Sequence, residues 1–558
     1  MKLPFQRRGL FNPATIREDL SAGLVLGIQS IPDGLACGLL AMVNPVYGLY
    51  SYMTAVFTGA FFTSSVFTSV QATSTMALII ANVPAVTQAQ SPNIPLFTLA
   101  VLTGVLMLTA GLFKLGSLVR FVPNSVMVGF INAVALLIVL GQLDSFTGYQ
   151  STGPNRVVRA FDISRNFDQI HVPTLVIGVL TIILILTLEQ TRLNALGMVV
   201  AIFFASLVVP LAGADKVQLA RDVANIPNSL PTPILPSLQL VPDLLISALA
   251  LTFVGLVQGA GISASIPNPD GHSPDASGDF VGQGVAGIVA GLFQGMPVGS
   301  SMSATSLVVA AGARSRLANI FAGVVIALSI VFFGRLVGLI AMPALAGLLI
   351  VIGFRTLKLS QLTNVWKTGL TQQVVMLITF IACLLISLQY AVLIGVGLAM
   401  LLFVNRNSNQ VRVVAWQLEP GQLPREVAPP KEVPGGQVTI LVPYGSLFYA
   451  AAPVFNEQLP KVTEDSRYAV IILSLRSETE LGSTFLGVLN QYGEALRQQK
   501  SLLMLAGVAP TIKQQLARTG MLRSLGRDNV FLCDSIIGQS LQEAIDAAET
   551  WIAARSEP

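Results

Sequence analysis

The stretch LSAGLVLGIQSIPDGLACGLLAMVNPVYGLY (residues 20–50) decides the fold class. It opens a run from Asp19 to Lys114 whose single internal charge is Asp33. Inside a bilayer no water satisfies backbone N–H and C=O groups, so such a run must be helical spans or a closed barrel. Its apolar blocks approach the roughly 20 residues of a helical span and do not alternate with period two, which argues for helices.

The same pattern continues to about residue 404. Apolar segments fall at 20–42, 46–63, 72–86, 96–113, 124–143, 172–188, 194–212, 243–263, 281–293, 302–312, 317–334, 337–354, 371–388 and 389–404. Segments 72–86 and 302–312 are short, and 281–293 less clearly so. Short interrupted segments in corresponding places of two halves mark discontinuous helices around a central site. Seven plus seven pairs the third segment with the tenth.

Charge divides the chain. The whole carries 32 basic and 28 acidic residues, 11% charged and 53% hydrophobic. Residues 1–404 are about 8% charged and residues 405–558 about 19%, a membrane-like part followed by a soluble-like one. The basic excess lies in loops flanking the spans, so it implies no nucleic-acid partner. Lys2, Arg7, Arg8, Arg17, Lys114, Arg120, Arg192, Arg314, Arg316, Arg355, Lys358 and Lys367 share one side if the N-terminus is cytoplasmic. Arg156, Arg159 and Arg165 fall on the other. Cys37, Cys383 and Cys533 are far apart without C-x-x-C spacing, so neither disulfide nor zinc is expected. The N-terminus carries no removable signal-peptide pattern.

Residues 405–436, rich in Pro, Gly and charge from 415 onward, read as a linker. From 437 to 558, apolar strands near 438–442, 469–473, 501–505 and 530–532 alternate with helical patterns at 484–499, 510–521 and 538–554, which predicts a small α/β domain. It has no Gly-rich phosphate loop. Ser483 reads as the N-cap of its first helix, with a phosphorylation-type site as the alternative. The loop 267–279, with Asp270, Asp275 and Asp279, does not fit a calcium site and reads as a solvated turn. His171, at a span start, reads as an interfacial residue.

Several stretches together resemble the sulfate permease (SulP) type of anion transporters. These are Arg17–Gly23, the run Ile31-Pro32-Asp33-Gly34-Leu35-Ala36, Pro45–Tyr50, Lys114–Pro123 with Val128–Ile131, and Gly312–Ala318. The segment Gly445–Ala451 is similar to part of that family's STAS domain. The resemblance implies a polytopic α-helical membrane domain (1–404) of two inverted seven-helix repeats, split into core and gate, a linker (405–436) and a cytoplasmic STAS domain (437–558). It implies an inner-membrane, multi-pass homodimer with both termini cytoplasmic and no cofactor, which is not an enzyme.

The resemblance also implies that a small inorganic anion sits between the N-termini of the third and tenth half-helices. Those ends correspond to Gln71, Ala72 and Thr73, and to Ser301, Met302, Ser303, Ala304 and Thr305. The first turn of a helix has unpaired N–H groups and a partial positive charge, which together attract anions. Ser and Thr at these ends serve equally as ordinary caps.

The departures bear on coupling. Family members usually carry an acid on the eighth span, where this chain has Gln258, and a Gln after Ile-Pro on the first, where this chain has Asp33. A carboxylate within a span costs roughly 2.5–3.5 kcal/mol on insertion scales and is by default a functional residue. Asp33 and Gln258 are therefore the candidates for coupling to a proton or sodium. The neutral Gln258 leaves an uncoupled conductor or an exchanger as the alternative. Gln71-Ala72 replaces a common Gly-Pro pair, and Ala304 a common basic residue, so the substrate cannot be copied from a relative.

Overall fold

The computed structural model describes residues 15–89, 93–116, 123–191, 196–211, 216–223, 228–272, 274–419, 423–476, 478 and 480–556. Lys2, Arg7, Arg8, Arg120 and Arg192, and residues 117–122 of the motif 114–123, lie outside that set. Contacts divide the chain into a unit up to Leu398 and a unit from Ala399.

Each apolar segment becomes helix. In chain order these are α1 (Ile16–Leu40), α2 (Pro45–Phe62), α3 (Ser74–Ile80), α4 (Asn93–Leu112), α5 (Asn124–Leu140), α6 (Val172–Leu188) and α7 (Leu196–Leu211). There follow α8 (Val241–Ser265), α9 (Ala276–Leu292), α10 (Met302–Ala310), α11 (Leu317–Val337), α12 (Met342–Thr356), α13 (Leu370–Leu385) and α14 (Leu388–Ser408). Among the described residues, seven helices are long and apolar enough to cross a membrane by themselves. Helix α9 runs unbroken for 17 residues, so segment 281–293 is not an interrupted one.

Between helices in lipid the hydrophobic effect gives little, and close packing of small residues replaces it. Helices α4 and α9 meet backbone to backbone: a Cβ on Gly104 would lie 2.5 Å from the Ile288 nitrogen, and one on Gly284 2.4 Å from the Leu108 nitrogen. Helices α1 and α2 cross as closely, since a Cβ on Gly48 would overlap the Gly34 carbonyl.

Two buried carboxylates tie the ends of these helices together. Asp19 on α1 accepts from the Arg314 and Ser315 nitrogens (2.7 and 2.9 Å) and from the Ser315 hydroxyl (2.6 Å). Asp279 on α9 accepts from the Ser65 nitrogen (2.7 Å) and from the hydroxyls of Ser64 (3.0 Å), Ser65 (2.5 Å) and Ser263 (2.5 Å). Asp279 therefore does not belong to a solvated turn. Four donors replace its water, as a buried carboxylate requires. Asp275 beside it caps α9 through the Ser277 and Gly278 nitrogens, and Asp270 stays exposed.

The second unit holds a six-stranded sheet in the order β4-β3-β5-β6-β7-β8. The strands are β3 (Arg412–Gln417), β4 (Arg425–Val427), β5 (Val438–Tyr444), β6 (Val470–Ser474), β7 (Leu502–Val508) and β8 (Val530–Leu532). Strands β5 to β8 run parallel, and β3 and β4 add antiparallel. Its helices are α15 (Ala452–Gln458), α16 (Ser483–Gln498), α17 (Pro510–Arg518) and α18 (Gln539–Ser556). Neighbouring residues point to opposite faces. Leu441, Ile471 and Leu505 pack with Phe455 and Phe485, while Ile440, Ile472 and Met504 pack with Ala544 and Ala548.

Two expectations change here. The stretch read as a linker contains β3 and β4. Val413, Val414 and Ala415 are buried in the sheet, and the Pro, Gly and charge that suggested a linker flank a short exposed edge strand, a usual way of blunting an edge. Ser483 is not an N-cap: Gly482 holds that position without a side-chain bond, and Ser483 is the exposed first helical residue.

Gly104→Val is expected to destabilise the membrane unit, since overpacking a close crossing typically costs about 1–3 kcal/mol. Gly397→Ala on α14, where a Cβ would meet nothing within 4 Å, is expected to leave stability unchanged or raised. Thermal unfolding of the two purified variants in detergent checks the contrast.

Candidate functional site

Helix α3 starts after Thr73, whose hydroxyl accepts from the Met76 nitrogen (3.3 Å). Helix α10 starts after Ser301, whose hydroxyl accepts from the Ala304 nitrogen (3.4 Å). Each is entered through three extended residues, β1 (Ser69–Gln71) and β2 (Gly299–Ser301). The two strands pair antiparallel, Ser69 with Ser301, Val70 with Ser300 and Gln71 with Gly299. One small ribbon thus delivers both helix starts to one place.

Polar side chains from neighbouring helices hold the ribbon. The Asn319 amide on α11 donates to the Phe67 and Thr68 carbonyls (3.2 Å each), and its oxygen accepts from the Ser69 hydroxyl (2.6 Å). Gln283 on α9 accepts from the Ser300 nitrogen (3.0 Å). Arg316 donates to the Ala60 and Ser64 carbonyls (3.0 Å each), fixing the turn that leads from α2 into β1. Asn319 and Gln283 were not singled out from the sequence. Their signal was a lone amide within an apolar span.

A cavity of about 1440 Å³ opens against the two helix starts. Gln71, Ala72, Thr73, Ser301, Met302 and Ser303 line it, and so do Asp33 and Gln258. The Thr73 hydroxyl donates to the Gln258 side-chain oxygen (3.4 Å), and the Ser301 and Ser303 hydroxyls are 3.1 Å apart. Ala304 and Thr305 do not line the cavity. Both are buried, and the Thr305 hydroxyl is used by the fold: it accepts from the Ser69 nitrogen (3.1 Å) and donates to the Ser301 carbonyl (2.6 Å).

Apolar side chains also line it, among them Phe130, Ile138, Met198, Leu349 and Val392. Lys114, Arg355 and Lys358 add positive charge to the lining. Arg355 is held by the Glu189 carboxylate, one contact being 2.9 Å. Asp33 and Asp275 are the lining acids, and Asp275 is committed to the start of α9. Among the described residues no cluster of three or more His, Cys, Asp or Glu could hold a metal ion.

His171 stands just before α6 and bonds Thr174 through Nδ1 (2.8 Å). Arg156 and Arg159 lie on a short helix, Arg156–Arg165, between α5 and α6. Arg156 sits against Gly141 at the C-terminal end of α5, where burial and the nearby Arg159 push its guanidinium down to about 10.

These features define a polytopic membrane protein with broken helices around a central cavity and an appended α/β domain. A model of the sulfate permease family matches residues 16–379, and one of the STAS domain matches residues 429–543. The chain belongs to the sulfate permease family, whose members are anion transporters and not enzymes. The Bacillus subtilis protein YvdB is similar, 24% identical over 526 residues, or 93% of this chain and 97% of that one. So is the chloroplastic sulfate transporter 4.1 of Arabidopsis thaliana, 24% identical over 539 residues, or 92% of this chain and 78% of that one. The solved structure of the murine Slc26a9 anion transporter in the inward-facing state shares the fold, with a TM-score of 0.84 and 18% identity, covering 97% of this chain and 92% of that one.

Thr305→Val is expected to lower thermal stability, because the buried Ser69 N–H loses its acceptor at a cost of about 1–3 kcal/mol. Thr305→Ser should restore most of it. Melting curves of the two variants beside the parent check this.

Proposed function

We propose that this protein is a secondary transporter that moves a small inorganic anion, of sulfate or bicarbonate type, across the inner membrane by alternating access. The observation that carries the reading is the ribbon of β1 and β2, which aims the starts of α3 and α10 at one cavity. In a site shielded from water, the free N–H groups of a first helical turn stabilise an anion without a fixed positive charge. The hydroxyls of Thr73, Ser301 and Ser303 add donors, while Gln71, Ala72, Met302, Ala304 and Thr305 shape the two ends. A site made only of neutral donors binds an anion weakly enough to release it, which turnover requires.

In this reading the core consists of α1–α4 and α8–α11, the gate of α5–α7 and α12–α14, and the two halves form inverted repeats. The core moves against the gate around a site near the bilayer midplane. The apolar gate wall at Phe130, Ile138 and Leu349 suits such sliding, because it offers the anion nothing to hold. Lys114 and Lys358 raise the local anion concentration at the cavity. The protein acts as a homodimer with both termini and the STAS domain in the cytoplasm. Coupling to a proton or to sodium is assigned to Asp33, with Gln258 supporting Thr73.

An exchanger or uncoupled conductor is the second reading, favoured by one observation: Gln258, a neutral side chain on the cavity, accepts from Thr73.

Uptake into proteoliposomes, with a panel of labelled anions including sulfate and bicarbonate, tests the proposal. Saturable uptake of at least one is expected. Ser303→Ala should raise its half-saturating concentration roughly 2- to 10-fold, the effect of one lost donor. No uptake or exchange of any small anion by folded protein would overturn the reading.

A further inference from the structure

A second, smaller cavity of about 180 Å³ lies at the C-terminal ends of α1 and α5. Leu39 and Met42 line it from the first, Leu140 and Gly141 from the second, and Arg156 and Arg159 from the short helix Arg156–Arg165. It follows the central cavity along the same two helices. On α1 the central lining stops at Cys37 and the small cavity begins at Leu39. On α5 the one stops at Ile138 and the other begins at Leu140. The central lining also reaches Asn124, the first residue of α5, so the small cavity marks the opposite end of that helix.

The protein leaves the two guanidiniums here uncompensated. Three residues apart, they share one helix face. They stand at the N-terminal end of their helix, the positive end of its dipole, and its first turn holds no acid. Burial and the like charge of Arg159 both work against the charge on Arg156. The nearby acids are engaged by other donors. Asp144, which lines the cavity, accepts from the Ser151 hydroxyl (2.5 Å), and Asp162 accepts from the Thr152 nitrogen (2.8 Å) and the Tyr149 hydroxyl (3.2 Å). Among the described residues neither arginine forms an ion pair. Arg159 gives only its Nε, to the Gly153 carbonyl (3.1 Å). The Arg156 guanidinium makes no hydrogen bond, although it sits against Gly141. A cap for α5 would donate to a carbonyl of its last turn, and that bond is not made.

Two guanidiniums against one carboxylate leave the lining positive. Their planar forks match the spacing of oxyanion oxygens, and charge-assisted bonds of that kind are strong. We propose that Arg156 and Arg159 form a second oxyanion site, apart from the helix starts, at the far ends of α1 and α5. Binding stands on these arginines alone. Its role rests on the transport reading above: an anion arriving from that face of the membrane docks here first, one residue along each helix from the central cavity. The same chemistry fits a lipid phosphate, so the experiment separates the two sources.

Met42 lines the small cavity and is exposed, which suits it to carry a reporter. Full-length Met42→Cys is made with Cys533→Ser; Cys533→Ser alone gives the background, since Cys37 and Cys383 are buried. Should Met42→Cys fail to fold, Ser145→Cys replaces it. In detergent, an anionic methanethiosulfonate is expected to label the reporter several-fold faster than a cationic one. Sulfate, and inorganic phosphate, should slow labelling by neutral N-ethylmaleimide saturably relative to gluconate at equal ionic strength. Arg156→Gln and Arg159→Gln, each checked for folding by its melting curve, should lose both effects. In proteoliposomes the same variants should raise the half-saturating anion concentration for uptake several-fold.

The site is refuted if neither free oxyanion nor phosphatidylglycerol vesicles slow the labelling, or if the arginine variants keep the slowing. Variants that only melt lower, with labelling unchanged, likewise reduce Arg156 to a helix cap. Slowing by phosphatidylglycerol vesicles with no effect of free sulfate or phosphate keeps the oxyanion site, gives it to lipid and overturns the docking role. Saturable slowing by sulfate without transport of any anion keeps the site and removes the transport reading instead.

Discussion

Six extended residues in a membrane unit are the constraint on which the rest depends. Lipid offers no partner for a backbone N–H or C=O, so irregular chain at that depth survives only where protein satisfies it. Strands β1 and β2 do so for each other, and Asn319, Gln283 and Thr305 serve groups the pairing leaves over. The break in each helix is thus stable because there are two breaks. A single one would leave three residues of unsatisfied backbone, whereas a pair closes its own hydrogen bonds and points two helix starts the same way into the cavity.

Rigidity follows from the same economy of polar groups. Asp19 joins α1 to the turn after α10, and Asp279 joins α9 to the turn after α2. Arg316 reaches from the first of these turns to the second. Helices that leave the ribbon are therefore locked at their ends to helices that do not contain it. Glycine contacts between α4 and α9 and between α1 and α2 remove the remaining slack. The alternating access proposed above needs such a block, one whose central geometry the end-to-end bonds hold fixed.

The sequence disclosed what depends on local pattern and hid what depends on distant partners. Segment lengths and hydrophobicity gave the helices, because lipid imposes one length and one chemistry on each. The short segments 72–86 and 302–312 were visible for the same reason. The pairing of Ser69 with Ser301 was not, since nothing local marks a three-residue strand whose partner is over two hundred residues away. Asp279 read as solvated because its neighbours are polar; the serines that bury it come from other elements. Strand β3 was obscured by the Pro- and Gly-rich chain around it.

Asp33 and Gln258 are best understood together. In the proposed reading, one carboxylate beside an anion site is useful only when something neutralises it in one half of the cycle. Two would double the desolvation cost without adding a second function. With Gln258 neutral and engaged by Thr73, the eighth span carries a hydrogen-bonding role that keeps its shape whatever ion is bound. Asp33 then stands on α1 next to Pro32, which has no N–H to give the carbonyl four residues before it. The charge lies on the segment whose backbone is already less fully bonded, close to the ribbon, and on the same cavity as the helix starts it opposes. In the proposed reading, that placement makes the anion's stability depend on the state of one carboxyl group, which is the physical content of coupling.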